Sequence, residues 1–184
     1  MSRTALLTAG LCGVLALSAC GGDDSTASST TTPSAAPETS RPACPISTTP
    51  GTPDESISKD LATKPVAPAH TAPEPAGIVV ADVVVGTGQE AKVGDTLALK
   101  YAGTRYVDGV EFDSSWSRSA EETISSKACY SGTVPGFSVG PLGMKVGGRR
   151  EIIVPGPYGY PEGSGDKIPP NAPLVFVVDL VSVS

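Results

Sequence analysis

What most constrains the fold of this chain is where its large apolar side chains begin. All nine aromatic residues lie between Tyr101 and Phe176, so the first hundred residues contain none. Aromatic rings bury large areas and dominate cores and pockets. The packed part of the molecule, and any cleft that binds, are therefore expected in its C-terminal part. The texture of the chain changes at Gly77. The runs "IVVADVVV", "TLALKYAGTRY", "REIIVP" and "PLVFVVDLVSV" are short, rich in β-branched residues and bounded by turn residues, which is how strands read. "VDGVEF" sets Asp-Gly between apolar residues, a hairpin signal. One short helix is expected from Pro135 to Met144, with Pro135 in the first turn, where its missing N–H is tolerated. Gly140 and Pro141 oppose a longer one. No internal repeat is found. The elements sum to a mainly antiparallel sheet with one short helix.

The stretch "VVVGTGQEA", residues 83–91, has the look of a dinucleotide-binding turn. Such a turn needs a helix directly after it, within a βαβ unit. Here "KVGDTLALKY" follows, a second turn and then another strand. The glycines are read instead as turn residues with positive φ between two strands. The net charge of −6 offers no basic footprint for nucleic acid either.

The chain opens "MSRTALLTAGLCGVLALSAC". Arg3 precedes an apolar stretch from Ala5 to Leu17 that ends in small residues, the layout of a secretory signal. It is shorter than the roughly 20 apolar residues that span a bilayer. "LSAC" resembles the bacterial lipobox, which implies cleavage after Ala19 and lipidation of Cys20. An ordinary cleaved signal with an incidental cysteine is the alternative. The Ser/Thr/Pro composition of residues 20–43 cannot bury enough apolar surface to fold, so they are expected to form a disordered tether. Residues 44–76 stay proline-rich but contain Ile46, Ile57 and Leu61, and are read as an extended arm lying along the domain at 77–184. With the leader 1–19 removed and Cys20 lipidated, Cys44 and Cys129 remain as two thiols in an oxidising compartment. A disulfide between them is expected, two free thiols being the alternative.

Much chemistry is missing. The single histidine, His70, lies in "APAHTAPEP", read as an exposed linker, and is a poor base for a nucleophilic triad. No zinc-ligand spacing exists. Glu121 and Glu122 sit among polar residues and are read as solvated. An enzyme built on this chain is expected to work without nucleophile, metal or cofactor.

Longer motifs are more specific. "GDTLALKYAGTRYVDGVEFDSSWSR", "TVPGFSVGPLGMKVGGRREIIVP", "YGY" and "IPPNAPLVFVVDLVSV" together resemble FKBP-type peptidyl-prolyl cis-trans isomerases, in order from about Ile78 to Val183. The resemblance implies an α+β fold, a curved antiparallel β-sheet (half-barrel) wrapped around one short helix, with the substrate pocket between helix and sheet. It places Tyr101, Phe112, Asp113, Val134, Phe137, Tyr160, Ile168 and Phe176 at the pocket. Phe137 would be the floor, Asp113 the pocket acid with Arg118 near it. Tyr160 Oη and the Val134 N–H would each hold a substrate carbonyl. Some features depart from the family pattern. The family's aromatic between "DSS" and the helix has no counterpart, Ile124 being the nearest apolar residue. That segment is about two residues longer than in compact members. Pro161 replaces a usual glycine and Lys167 an apolar residue.

The residue types suit the reaction. Resonance holds a peptide bond planar behind a barrier of ~18–20 kcal/mol. X-Pro isomers are nearly balanced yet exchange over tens of seconds or longer. Twisting reduces the charge separation of the amide, so a dry aromatic pocket favours the twisted state relative to water. The resemblance thus implies an isomerase acting on proline-containing, unfolded or partly folded exported proteins, with macrolides as possible ligands. The expected location is extracytoplasmic, lipid-anchored to the bacterial cell membrane, and nothing points beyond a monomer. A non-catalytic binding module or holding chaperone with the same pocket is the alternative reading, and a structural envelope lipoprotein without an active pocket a third.

Overall fold

A computed structural model describes residues 44–129 and 134–184. The expected leader 1–19, the expected lipidation site Cys20 and the expected tether 20–43 lie outside the described residues. In chain order the elements are β1 (Thr49–Pro50), β2 (Val79–Val84), β3 (Thr96–Arg105), β4 (Glu111–Ser114), β5 (Ile124–Lys127), α1 (Pro135–Val139), β6 (Arg149–Val154) and β7 (Leu174–Val183). The strands form one sheet in the order β1-β2-β6-β7-β3-β4, with β5 also paired to β3. All pairings are antiparallel except β1 with β2.

Side chains alternate across a strand, and β7 shows what each face meets. Leu174, Phe176, Val178 and Leu180 join the core beneath α1, together with Leu97, Leu99, Tyr101, Ile152, Val154 and Phe137. Val175 and Val177 point the other way, into a second cluster with Ile57, Ala67, Val83 and Tyr106. Both faces of β7 are therefore dry. This accounts for its nearly unbroken apolar run, where a half-exposed strand would alternate.

The second cluster is closed by the proline-rich arm. β1 adds to the edge of β2, and Ile57 and Ala67 are 2% and 1% exposed. A buried ionic clamp holds the arm down. Arg149, fully buried, makes a two-pronged bond to Asp179, Nε–Oδ1 2.6 Å and Nη2–Oδ2 2.7 Å. Its remaining donors reach the carbonyls of Ser58 (2.6 Å), Asp60 (3.1 Å) and Thr63 (3.0 Å). Two residues on, Glu151 Oε2 accepts the Asp54 N–H at 3.0 Å. His70 is not in an exposed linker. Its ring stacks on Tyr106 at 4.6 Å, and its backbone N–H donates to the Tyr106 carbonyl. Its Nε2 lies 3.3 Å from Glu151 Oε1, near enough to pair but not aligned as a hydrogen bond. A linker composition hid this histidine because its partners, Tyr106 and Glu151, lie far downstream in the chain. The arm is also tied covalently: Cys44 and Cys129 form a disulfide, with Cα atoms 5.7 Å apart at a sequence separation of 85. A cross-link over so long a loop stabilises by ~4.5 kcal/mol on the chain-entropy model.

Two expectations need correction. The helix ends at Val139 rather than Met144. The Gly140 N–H closes it onto Gly136 O, and Pro141 has no N–H with which to continue. Arg150 Nη1 then takes the carbonyls of Gly140 (2.8 Å) and Leu142 (2.7 Å), so a side chain supplies what further helix would have supplied. The glycines of "GTG" also have another purpose than positive φ, which neither Gly86 nor Gly88 adopts. A Cβ on Gly86 would lie 2.2 Å from Lys145 O, and one on Gly88 2.8 Å from Val146 Cβ. They are small because another backbone passes against them. The expected hairpin does form, with the Arg105 N–H bonded to Val110 O at 3.0 Å and Gly109 at φ 67°.

Removing one member of a buried charge pair strands the other. Arg149→Met is expected to lower the unfolding free energy by about 3–5 kcal/mol and to open residues 58–63 to proteolysis. Urea denaturation and limited proteolysis measure both; an arm as protected as in the parent chain would contradict the clamp.

Candidate active site

Between α1 and the sheet lies a cavity of about 340 Å³, lined by Tyr101, Phe112, Asp113, Ile124, Val134, Phe137, Tyr160 and Phe176. The backbone brings these together from seven places. Tyr101 and Phe176 come from the paired central strands β3 and β7. Phe112 and Asp113 come from β4, Ile124 from the start of β5, and Phe137 from α1. Val134 precedes the helix. Tyr160 belongs to the segment between β6 and β7, its carbonyl held by the N–H groups of Gly163 (3.0 Å) and Asn171 (3.2 Å).

The rings are set mostly edge to face. Phe137 meets Tyr101 at 5.2 Å and 76°, and Phe176 at 5.2 Å and 71°. Phe112 meets Phe176 at 5.6 Å and 86°. This arrangement favours ring pairs through their quadrupoles and leaves faces free. A glycine makes it possible: a Cβ on Gly103 would sit 2.6 Å from the Phe112 ring and 3.1 Å from Phe176. Phe137 can reach under the sheet because α1 rides closely on β6, where a Cβ on Gly136 would be 2.2 Å from Val154 Cγ2.

Polar groups are confined to the rim. Tyr101 Oη donates to Asp113 Oδ2. Asp113 Oδ1 accepts from the Ser114 N–H at 2.8 Å and from Arg118 Nη1 at 2.9 Å. Arg118 Nη2 also lies 3.4 Å from Tyr101 Oη. Burial alone would push the Asp113 carboxyl up, but the bonds from Tyr101, Ser114 and Arg118 outweigh it and hold it below the usual range. The Tyr101 phenol is pushed up to about 12, first by burial and then by its bond to Asp113, with Arg118 opposing. Burial and the Asp113 charge also raise the Tyr160 phenol. At neutral pH the rim therefore holds an ionised carboxylate and two protonated phenols. It can orient an amide by hydrogen bonds, and among the described residues it offers no group poised to take a proton.

Seven of the eight residues named from sequence line this cavity. Ile168, 5% exposed, packs in the same core cluster as Tyr101, Phe112, Phe137 and Phe176 but is not among the residues that line the cavity. Ile124, the nearest apolar residue to the family's missing aromatic, belongs to the wall. Its signal was that it is the one large apolar side chain between Trp116 and Lys127. Glu122 is not simply solvated, since its carboxylate accepts from Arg118 Nε. Lys167 Nζ donates to Phe112 O at 3.1 Å, so the ammonium caps an edge-strand carbonyl beside the cavity.

Comparison with known proteins adds to this geometry. The family model for FKBP-type peptidyl-prolyl cis-trans isomerases matches residues 87–181. A probable FK506-binding protein of Corynebacterium glutamicum is 39% identical over 120 residues, which are 65% of this chain and 98% of that protein. An FK506-binding protein of Streptomyces anulatus is 40% identical over 59% of this chain and 88% of its own length. Among solved structures, FkpA from Escherichia coli superposes with a TM-score of 0.51 at 36% identity, over 59% of this chain and 48% of FkpA. AtFKBP13 gives a TM-score of 0.53 at 27% identity, over 60% and 96% of the two chains.

The Tyr101 phenol has a direct consequence. Its folded value lies above the ordinary one of about 10. The stability linked to it is therefore fully present below pH ~10 and lost as the pH rises through about 12. Ring-labelled tyrosine NMR, assigned with Tyr101→Phe, should find this residue titrating about two pH units late. Titration at the ordinary value would contradict the bond to Asp113.

Proposed function

The chain belongs to the FKBP-type peptidyl-prolyl cis-trans isomerase family, and from that premise we propose that its isomerase activity resides in the Tyr101–Phe137–Phe176 cavity and serves exported, proline-containing chains. The observation that carries the site assignment is the scarcity of charge: five aromatic rings line the cavity, and its one charged lining residue, Asp113, is half-exposed and paired with Arg118. A prolyl ring seats on Phe137 and Phe176, which are apolar and closely spaced. The preceding amide then lies in surroundings that solvate its planar, dipolar form less well than water does. Rotation lowers that dipole, so the penalty relaxes as the bond twists, and the barrier falls by the difference. Tyr160 Oη and the Val134 N–H orient the substrate carbonyls, and the Tyr101–Asp113–Arg118 group fixes the rim that receives the flanking residues. Only a torsion angle, that of the peptide bond, changes, so no proton passes to the protein. Ile168, packed in the core beside the wall, keeps the cavity in shape rather than touching substrate.

The export reading rests on sequence: Arg3, the apolar run to Leu17, and "LSAC" ending at Cys20. Lipidation of Cys20 would fix the chain to the outer face of a cell membrane. Residues 20–43 would then be the tether, and unfolded or partly folded secreted proteins the clients. The Cys44–Cys129 disulfide supports an oxidising compartment. Macrolides of the kind for which its relatives are named would compete for the same apolar walls. Nothing in this reading requires more than a monomer.

Two measurements test the proposal. In an X-Pro peptide assay, Phe137→Ala should lower kcat/KM on the order of tenfold to a hundredfold through lost positioning, and Asp113→Val less. Full activity in Phe137→Ala would move the site elsewhere, and peptide binding without any rate enhancement by the parent protein would favour a holding module. In cells, radiolabelled palmitate should enter the parent chain and not Cys20→Ala. Equal labelling of both would remove the lipid anchor.

A further inference from the structure

We propose that Glu122 is a positioning residue for the isomerase site, holding Arg118 in place across Tyr101 and Asp113. This rests on the cavity assignment above and extends it to a residue that does not line the cavity. Arg118 has three kinds of side-chain nitrogen, and each meets a different acceptor. Nε bonds Glu122, Nη1 bonds Asp113 at 2.9 Å, and Nη2 faces Tyr101 Oη at 3.4 Å. The guanidinium carbon lies 5.9 Å from the Tyr101 ring centroid. A guanidinium bonded only through its Nη atoms can pivot on its flexible stem. Bonded also at Nε, it is fixed in plane and in direction.

The backbone around Glu122 is folded to make this contact. After the single 3-10 turn at Ser115–Ser117, the N–H groups of Arg118 and Ser119 both return to Ser115 O, at 3.1 and 3.2 Å. Glu122 N–H returns to Ser119 O at 3.2 Å, and Glu121 N–H to Ser119 Oγ at 3.2 Å. Two successive turns thus bring residue 122 back over residue 118. An isolated exposed ion pair contributes little to stability, and Arg118 and Glu122 are 41% and 34% exposed. The value of this pair is geometric. It fixes the one cation that two cavity-lining groups share. It also lies two residues before Ile124, which forms the wall on that side. Movement of Arg118 would disturb Tyr101, Asp113 and the start of β5 together. Glu122 therefore acts on substrate fit, through residues that touch substrate, and its loss should appear in KM more than in kcat.

A double-mutant cycle on the intact protein tests this, with X-Pro peptide kinetics and the Arg118 Nε–H NMR signal as readouts. Glu122→Ala should raise KM about fivefold, the scale of one exposed but ordered ion pair, and should abolish the distinct Arg118 Nε–H signal. Glu122→Gln keeps an acceptor and should recover part of both. Glu122→Ala added to Arg118→Ala should change nothing further, because the two act as one unit. If the two substitutions instead multiply in effect, or if Glu122→Ala leaves KM unchanged, the positioning role is overturned. Phe137→Ala separates this from the site assignment. Full activity in Phe137→Ala ends both proposals, whereas lost activity there with multiplying effects at 118 and 122 ends only this one.

Discussion

A cavity walled by aromatic rings needs something stiff behind it, and in this molecule that support is β7, buried on both faces. Phe176 enters the cavity from one side while Val175 and Val177 pack under the arm on the other. Without a cover, the second face would expose apolar strand to water. The arm supplies that cover, and because it is too poor in apolar residues to bind by burial alone, it is fastened by charge and covalent linkage. Arg149 turns its guanidinium to three arm carbonyls while neutralising Asp179. Burying such a pair stabilises only when every donor is satisfied. The arm is what satisfies them. The rings of the cavity keep their edge-to-face spacing because the strands that carry them cannot move away from the helix.

The same economy of polar groups governs the cavity. Water stabilises a planar amide better than a twisted one, so a site that speeds rotation gains from excluding water and from keeping formal charge off the floor. Tyr101, Asp113 and Arg118 satisfy one another at the rim. These bonds hold Asp113 ionised, while burial and the bond to Asp113 hold Tyr101 protonated against the opposing Arg118, across the physiological range. The site has no acid or base with a displaced pKa near neutrality, which fits a reaction that breaks no covalent bond.

Sequence revealed the strands well because β-branched runs between turn residues are local signals. It revealed the cavity residues through motif resemblance, since Phe112, Phe137 and Phe176 on their own would equally be core. What it hid was non-local. Gly86 and Gly88 are explained by the backbone at residues 145–148, and no local rule could anticipate that neighbour. The end of α1 at Val139 depends on Arg150, ten residues past the Gly140 carbonyl it caps. His70 looked like linker because its partners, Tyr106 and Glu151, lie far downstream. Ile124 and Glu122 stood in a polar stretch with no periodicity; the pairing of β5 with β3 sets Ile124 at the cavity, and the turns closed on Ser115 and Ser119 bring Glu122 to Arg118.

The account depends on rotation about an amide in a dry cavity with no proton changing hands. The most direct measurement is the rate of X-Pro isomerisation by the protein in H2O and in D2O, across the pH range in which it stays folded. General acid–base catalysis moves a proton in its rate-determining step and depends on the ionisation of the group that moves it. The account predicts equal rates in the two solvents and a flat pH profile near neutrality. A clear slowing in D2O, with a titrating limb near neutral pH, would contradict it.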